Sequence, residues 1–326
     1  MPQPKLTYTR CNNHLALKKQ RGVAIITALL IVTIATTISI SISTQLQLDV
    51  RRTSNLIAQD HSRFYLLAAE EWSQRILRQD KKNSKHDDLT EDWAIELPPL
   101  PVEGGSIQGR ITDLHACLNV NALLVSGAVD ATAKTRLSRL FTNLGINTDL
   151  TQPISDWIDE DLNTTNPDGA EDGYYLNLTK PYYTANTPLQ SISELRLIKG
   201  FEDKKVYEQI RPHVCAFPLD GKAGTININT ATAEVLKSLS NTMTDSMVND
   251  IIEEREENPF ITLKDFTGFS KLGTIITDTK NLTTSSDFFL LRTQARIGHS
   301  NIVMYSIIFR DPSGKTDVIY RAQRTL

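Results

Sequence analysis

The longest uninterrupted apolar run spans residues 23–42, VAIITALLIVTIATTISISI, and contains no charged side chain. As a helix rising 1.5 Å per residue it is about 30 Å long, enough to cross a bilayer. Beyond it the pattern stays helical to about Arg78. Leu46, Val50, Ile57, Phe64, Leu67, Trp72 and Ile76 recur at helical spacing among Gln, Arg, Asp and Glu. The spacing predicts one long helix, half in lipid and half packed through that stripe on a soluble head. At the far end the period drops to two. DFFLLRTQARIG, NIVMYSIIFR and TDVIYRAQR read as three strands, the last two joined by a DPSGK turn at 312–315, and SIQGRITDL (106–114) reads as a fourth. A sheet interrupted by a long helical segment predicts an α+β fold: an antiparallel sheet packed on the amino-terminal helix, with a large helical insertion.

Charge orients the helix. Residues 1–22 hold Lys5, Arg10, Lys18, Lys19 and Arg21 and no acidic side chain, and the next acidic residue is Asp49. The preference of Lys and Arg for the cytoplasmic side places the leader inside and the bulk of the chain outside, in the periplasm of a bacterium. A cleaved signal peptide, cut after small residues at 39–43, is the competing reading. With 35 basic and 38 acidic residues in all, the chain beyond the leader carries a net charge of −8. That balance disfavours a phosphate-binding surface.

A basic leader ending KKQRG, followed directly by the apolar run from Val23, resembles the class III signal of type IV pilins and type II secretion pseudopilins. The resemblance implies cleavage by a prepilin peptidase after Gly22 and methylation of the new terminus at Val23. Most of that family carry Glu as fifth residue of the mature chain, and here the position is Thr27. A carboxylate in hydrocarbon is costly unless paired, and in these filaments it is thought to meet the terminal amine of a neighbouring subunit. A subunit without it suits a position where that pairing is not required, which among pseudopilins points to the minor K type at the filament tip. Thr is also simply tolerated in a membrane helix, where it bonds its own backbone.

The helical insertion contains a repeat. CLNVNALL (117–124) matches TININTATAEVL (225–236) in an Asn-x-Asn followed by a helical pattern. PLQSISELRLIKGF (188–201) matches PFITLKDFTGF (259–269) in a Pro, a Ser or Thr cap, an acidic residue and a closing Gly-Phe. From Asn119 to Pro188 is 69 residues and from Asn227 to Pro259 is 32, so copy one holds an insertion of about 37. Copy two resembles the helix-hairpin-helix module of competence proteins that bind DNA. Those modules grip phosphates with the backbone amides of a Gly-rich hairpin. Here the hairpin, SLSNTMTDSM, has no glycine, and over 222–270 four basic residues face eight acidic ones, so the copy reads as a protein-contact lobe. Paired SAM-like lobes inserted in a pseudopilin head are again a feature of the K type.

The insertion in copy one begins DWIDEDLNTTNPDGAEDGYY, with Asp156, Asp159, Glu160, Asp161, Asp168, Glu171 and Asp172 and no Lys or Arg before Lys180. Hard oxygen ligands at this density suit calcium. An EF-hand fails, because Thr164 replaces the required Gly and Ala170 the bidentate Glu. A solvated acidic face is the plain alternative. The resemblance associates an AED-type loop with calcium, which carries over to Glu171 and Asp172, with Asp159, Asp161 and Asp168 as their companions in preference to Asp156 or Glu160.

Cys11 is lost with the leader, leaving Cys117 and Cys215 in an oxidising compartment. A disulfide is the natural inference, and two separate buried thiols are the alternative. There is no G-x-S-x-G, H-E-x-x-H or P-loop, and the six histidines show no ligand spacing, so the chain does not read as an enzyme. The sequons at Asn163, Asn177 and Asn281 are idle in a bacterial protein. The organisation expected is a leader at 1–22, a membrane helix at 23–42, its continuation and the first part of a pilin-like head at 43–116, lobes at 117–218 and 219–280, and closing strands at 281–326. The resemblance implies a non-enzymatic minor pseudopilin of the inner membrane. It would help initiate or cap a filament that exports folded periplasmic proteins, with the prepilin peptidase, the major pseudopilin and minor pseudopilins I and J as partners. A membrane-anchored DNA receptor and a minor type IV pilin are the alternatives.

Overall fold

A computed structural model describes residues 21–96, 98–218 and 224–323. Residues 1–20, which hold Cys11 and most of the leader, lie outside these residues. The chain divides into two compact units, Met1–Ile57 and Ala58–Leu326.

The first unit holds the opening part of helix α1, Arg21–Asn83, with Gly22 and Val23 in its first turn. Its side chains from Gly22 onward are exposed, and this is the one helix among the described residues long and apolar enough to cross a membrane. Its hydroxyls are satisfied internally. Thr27 Oγ1 bonds Val23 O at 3.1 Å and Ala24 O at 3.0 Å, and Thr33, Thr36, Thr37, Ser39 and Thr44 do likewise. Such back-bonding lets a polar side chain sit in hydrocarbon without a partner from another helix.

The second unit is α+β. Strands β1 (Leu100–Val102), β2 (Gly105–Asp113), β3 (Phe288–Ile297), β4 (Ser300–Arg310) and β5 (Thr316–Gln323) form one antiparallel sheet in that order. The sequence pattern missed β1, whose three residues include Pro101 and are too few to show alternation. Gly105 is obligatory where β2 meets β3, since a Cβ there would lie 1.8 Å from Arg296 O.

The continuation of α1 packs on this sheet, but not through the stripe its periodicity suggested. Phe64 and Trp72 are 71% and 50% exposed, Leu67 is also exposed, and only Ile76 of that set in this unit reaches the core. The buried face is Ser62, Leu66, Glu70, Ser73 and Leu77, one turn apart along the helix. Leu66 meets Ala295 and Met304, and Leu77 joins Trp93, Ile111, Phe289, Leu291 and Ile308. Glu70 takes two 2.8 Å bonds from Arg321 and one of 2.6 Å from Ser306. The sheet supplies polar partners, so a polar-laced face is buried and an apolar one is left outside.

Between β2 and β3 lie helices α2 (Ala131–Leu144), α3 (Thr151–Ile158), α4 (Asp172–Tyr175), α5 (Lys204–Ile210), α6 (Ala233–Lys237), α7 (Asp245–Glu257) and α8 (Leu263–Gly268). The repeat read in the sequence appears as repeated wiring. Leu118–Asn119 pairs in parallel with Val214–Cys215, and Ile226–Asn227 in parallel with Leu282–Thr283, so each copy is closed by its own two-strand ladder. Asn121 donates to Leu189 O at 2.9 Å and accepts from Leu189 N at 2.8 Å. Asn229 does the same to Phe260, at 2.9 and 3.0 Å. Both copies then begin a short helix with a capping box, Ser191 with Glu194 and Thr262 with Asp265. The lobes share a single apolar core, including Phe141, Ile154, Phe201, Val235, Ile251 and Phe266. Cys117 and Cys215 are disulfide-bonded with Cα atoms 5.8 Å apart, at the two ends of copy one.

Candidate functional site

The acidic segment of copy one folds around Asp156. Pro153 in the first turn of α3 loses no intrahelical bond, and the helix that follows buries Ile154, Asp156, Trp157 and Ile158. The loop after α3 turns back so that Thr165 N donates to both Asp156 carboxylate oxygens, at 3.2 and 3.1 Å, and Ala170 N to Oδ2 at 2.8 Å. Gly169 makes this closure possible. A Cβ there would lie 2.2 Å from Asp156 Oδ2 and 2.4 Å from Thr165 O.

The return strand delivers Glu171 beside Asp159, the residue that closes α3. One carboxylate oxygen from each of Asp156, Asp159 and Glu171 lies within 4.8 Å of the other two. Glu171 is 3% exposed, and neither of its oxygens, nor Asp159 Oδ1, has a hydrogen-bond partner. None of the three is in an ion pair among the described residues. Lys199, reaching the loop from the segment before α5, is occupied with the carbonyls of Asp168 and Gly169, at 3.0 and 3.3 Å. Burial, reinforced by the neighbouring carboxylates, raises the pKa of Glu171 to about 7 and that of Asp159 to about 6. Orphaned carboxylate oxygens converging in a buried place are the donor set a hard cation takes, so the residues fit calcium.

The geometry keeps Asp159 and Glu171 of the residues favoured from sequence and brings in Asp156 in place of Asp161, Asp168 and Asp172. Asp156, set aside there, is at the centre of the trio. Asp161 is exposed and accepts from Asn163 N at 2.7 Å. Asp172 accepts from Thr184 N and Oγ1, at 3.0 and 2.7 Å, and thereby ties down the loop after α4. Asp168 is half-buried and lies outside the trio, its backbone N–H bound to Gln152 Oε1. One signal could have found Asp156: it stands three residues before Asp159 on a helix, on the same face. Thr27, Gly22 and Val23 lie in the other unit, on exposed turns of α1.

Comparison with known proteins decides the family. Residues 116–219 match the first domain, and residues 226–285 the second, of the family described as Type II secretion system (T2SS), protein K. The chain is 33% identical over 310 residues to type II secretion system protein K of Pectobacterium carotovorum subsp. carotovorum, covering 89% of this chain and 92% of that one. The chain belongs to the type II secretion system protein K family. The corresponding protein of Aeromonas hydrophila is 30% identical over 325 residues, covering 93% of this chain and 97% of its own. In structure, the chain resembles one in the GspK-GspI-GspJ complex from the type 2 secretion system of enterotoxigenic Escherichia coli. The TM-score is 0.74 at 26% identity, over 84% of this chain and 100% of that one. As a member of this family the chain is a minor pseudopilin, a structural component of the secretion machine. The family assignment does not favour the DNA-receptor reading, and α7 turns Asp250, Glu253, Glu256 and Glu257 to solvent.

Proposed function

We propose that this minor pseudopilin stands at the tip of the secretion pseudopilus, where it initiates or caps the filament that moves folded periplasmic proteins across the outer membrane. The observation that carries the reading is Thr27, whose hydroxyl is turned back onto its own helix. It needs no amine from a neighbour, so the subunit tolerates an end position and lacks the pairing group of an interior one. The helix holds the protein in the inner membrane with its head in the periplasm. Prepilin peptidase removes the leader after Gly22, and Val23 is methylated. Minor pseudopilins I and J are the partners, a reading supported by the complex in which the related chain was crystallised. The major pseudopilin follows below them. Exposed Phe64, Leu67 and Trp72 on α1 offer apolar surface for neighbouring helices. In the head, the two lobes are SAM-like modules, and Asp156, Asp159 and Glu171 hold calcium, which neutralises their charge and orders the loop between α3 and α4.

The test is Thr27→Glu in cells that carry the whole machine. Secretion falls and the subunit is recovered along the filament instead of at its end. Unchanged secretion and unchanged position sink the tip argument. Intact mass of the membrane-extracted protein checks the processing: a chain that begins at methylated Val23 is expected, and a retained leader overturns it.

A further inference from the structure

Asn119 and Asn227 open the two copies and make the same local turn, each side-chain oxygen accepting from the N–H two residues on, Asn121 at 3.2 Å and Asn229 at 3.0 Å. Their amide nitrogens do different things. Asn119 Nδ2 stays within copy one, on Phe217 O at 3.1 Å. Asn227 Nδ2 leaves copy two and reaches Asp87 O at 2.9 Å, Asp113 Oδ2 at 3.1 Å and Ser286 Oγ at 2.9 Å. Asp113 is the last residue of β2, Ser286 lies just before β3, and Asp87 is in the loop after α1.

From there the contacts run without a gap into the rest of the head. Asp113 Oδ2 also accepts from Thr230 Oγ1 at 2.5 Å and Ser286 Oγ at 2.6 Å, and Ser286 N donates to Asp87 Oδ2 at 2.7 Å. Arg310 on β4 donates to Asp87, to Ser286 O at 3.0 Å, to Asp80 at 2.8 Å and to Leu77 O at 3.2 Å, the last two on α1. Asp87, Asp113, Asn227, Thr230, Ser286 and Arg310 are all buried. A fully buried polar network is stiff and specific in geometry, because any relative displacement leaves several of its groups unsatisfied at once.

We propose that this network is a rigid joint fixing the pair of lobes to the sheet and to the head segment of α1, with Asn227 as its positioning residue. Because the lobes share one core, fixing copy two fixes both. Copy one has no such polar reach through its own Asn119 and meets the sheet by apolar packing instead, Phe217 lying 4.9 Å from Phe288 between ring centroids, so the hydrogen-bonded part of the joint comes from copy two.

The test uses the full chain in detergent, with Cys11→Ser and spin labels at exposed Asp250 on α7 and Asp317 on β5. In Asn227→Ala the label-to-label distance distribution broadens. Amide exchange speeds up about tenfold or more at Asp87 and Ser286, and the loop at 159–171 is unchanged. Asn119→Ala is the control made by the repeat itself: its exchange effect stays within copy one and the distance distribution stays narrow. Ser286→Ala, a smaller change, serves if Asn227→Ala does not fold, and moves both readouts in the same direction. An unchanged distribution in whichever of these two variants folds, or equal broadening in Asn119→Ala, overturns the joint.

Discussion

The two lobes start from the same local instructions and are finished by different chemistry. Both open with Asn-x-Asn, both use the second Asn to clamp the residue after a Pro, both start a late helix with a capping box, and both close with a two-strand parallel ladder. Copy two is short. Its interior is completed by side chains already at hand: Arg255, buried on α7, donates to Ile228 O at 2.8 Å and Ala231 O at 2.9 Å. Copy one carries the long insertion, and its ends are held by a disulfide where copy two has Thr225 and Thr283. Its loop surrounds two buried carboxylates, Asp156 and Glu171, and the half-buried Asp159, a cluster that copy two lacks among the described residues. Lengthening a loop raises its closure entropy slowly, so a covalent bond, with the calcium proposed above, would suffice to hold a module whose backbone scheme is otherwise unchanged.

The comparison breaks most sharply at the disulfide. Cys117→Ser with Cys215→Ser is expected to cost about 4.7 kcal/mol by the closed-loop relation for a separation of 98 residues, read by denaturant unfolding. Amide exchange should rise first in copy one. Equal loss of protection across both lobes would mean that the shared core, not the bond, sets local stability.

Calcium is next. At a free concentration about a thousandfold above its dissociation constant, an ion that binds only the folded state adds about 4 kcal/mol. Chelator is therefore expected to lower the unfolding midpoint markedly in the parent protein, and to leave Glu171→Gln little affected. Identical midpoints with chelator and with millimolar calcium in the parent would remove the ion from the account. The calcium-free protein also makes a pH prediction of definite sign. Glu171 at about 7 and Asp159 at about 6 stand above their ordinary values, so the folded state binds more protons than the unfolded one between about pH 4 and 7. Stability of the chelated protein falls as pH rises through that window and levels off above it. With calcium bound the slope shrinks, because the ligands are already deprotonated. A flat profile in chelator would contradict the buried, unpartnered state of these carboxylates.

Smaller effects sharpen the likeness between the copies. Asn121→Ala strands Leu189 N–H and C=O, Asn229→Ala strands the same groups of Phe260, and each is expected to cost about 2–4 kcal/mol in denaturant unfolding. Costs that differ severalfold would show that the shared wiring does not carry equal weight. Ser191→Ala and Thr262→Ala each remove a cap and are expected to cost about 1 kcal/mol, measured the same way.

What the sequence determined by itself is what short-range chemistry controls. The charge-free helical run, the period-two strands β2 to β5, the Asn-x-Asn turns and both capping boxes are patterns within about twenty residues, and each is found where those residues stand. Tertiary structure decided the questions in which distant segments compete for the same partner. Periodicity along α1 gives an apolar stripe without saying whether it faces a core or the outside; the sheet's Arg321 and Ser306 drew Glu70 inward and left Phe64 and Trp72 exposed. Asp156 stood in the sequence as one of seven acidic residues, ranked below Asp159, Asp161 and Asp168 as a ligand, until Gly169 let the loop close over it. Asp113, a plain strand end in the sequence, became the meeting point of Asn227, Thr230 and Ser286, which come from as far as 173 residues away. Burial creates these sites, because a carboxylate acquires a demand for specific partners only once water is excluded, and that exclusion is a property of the packed chain.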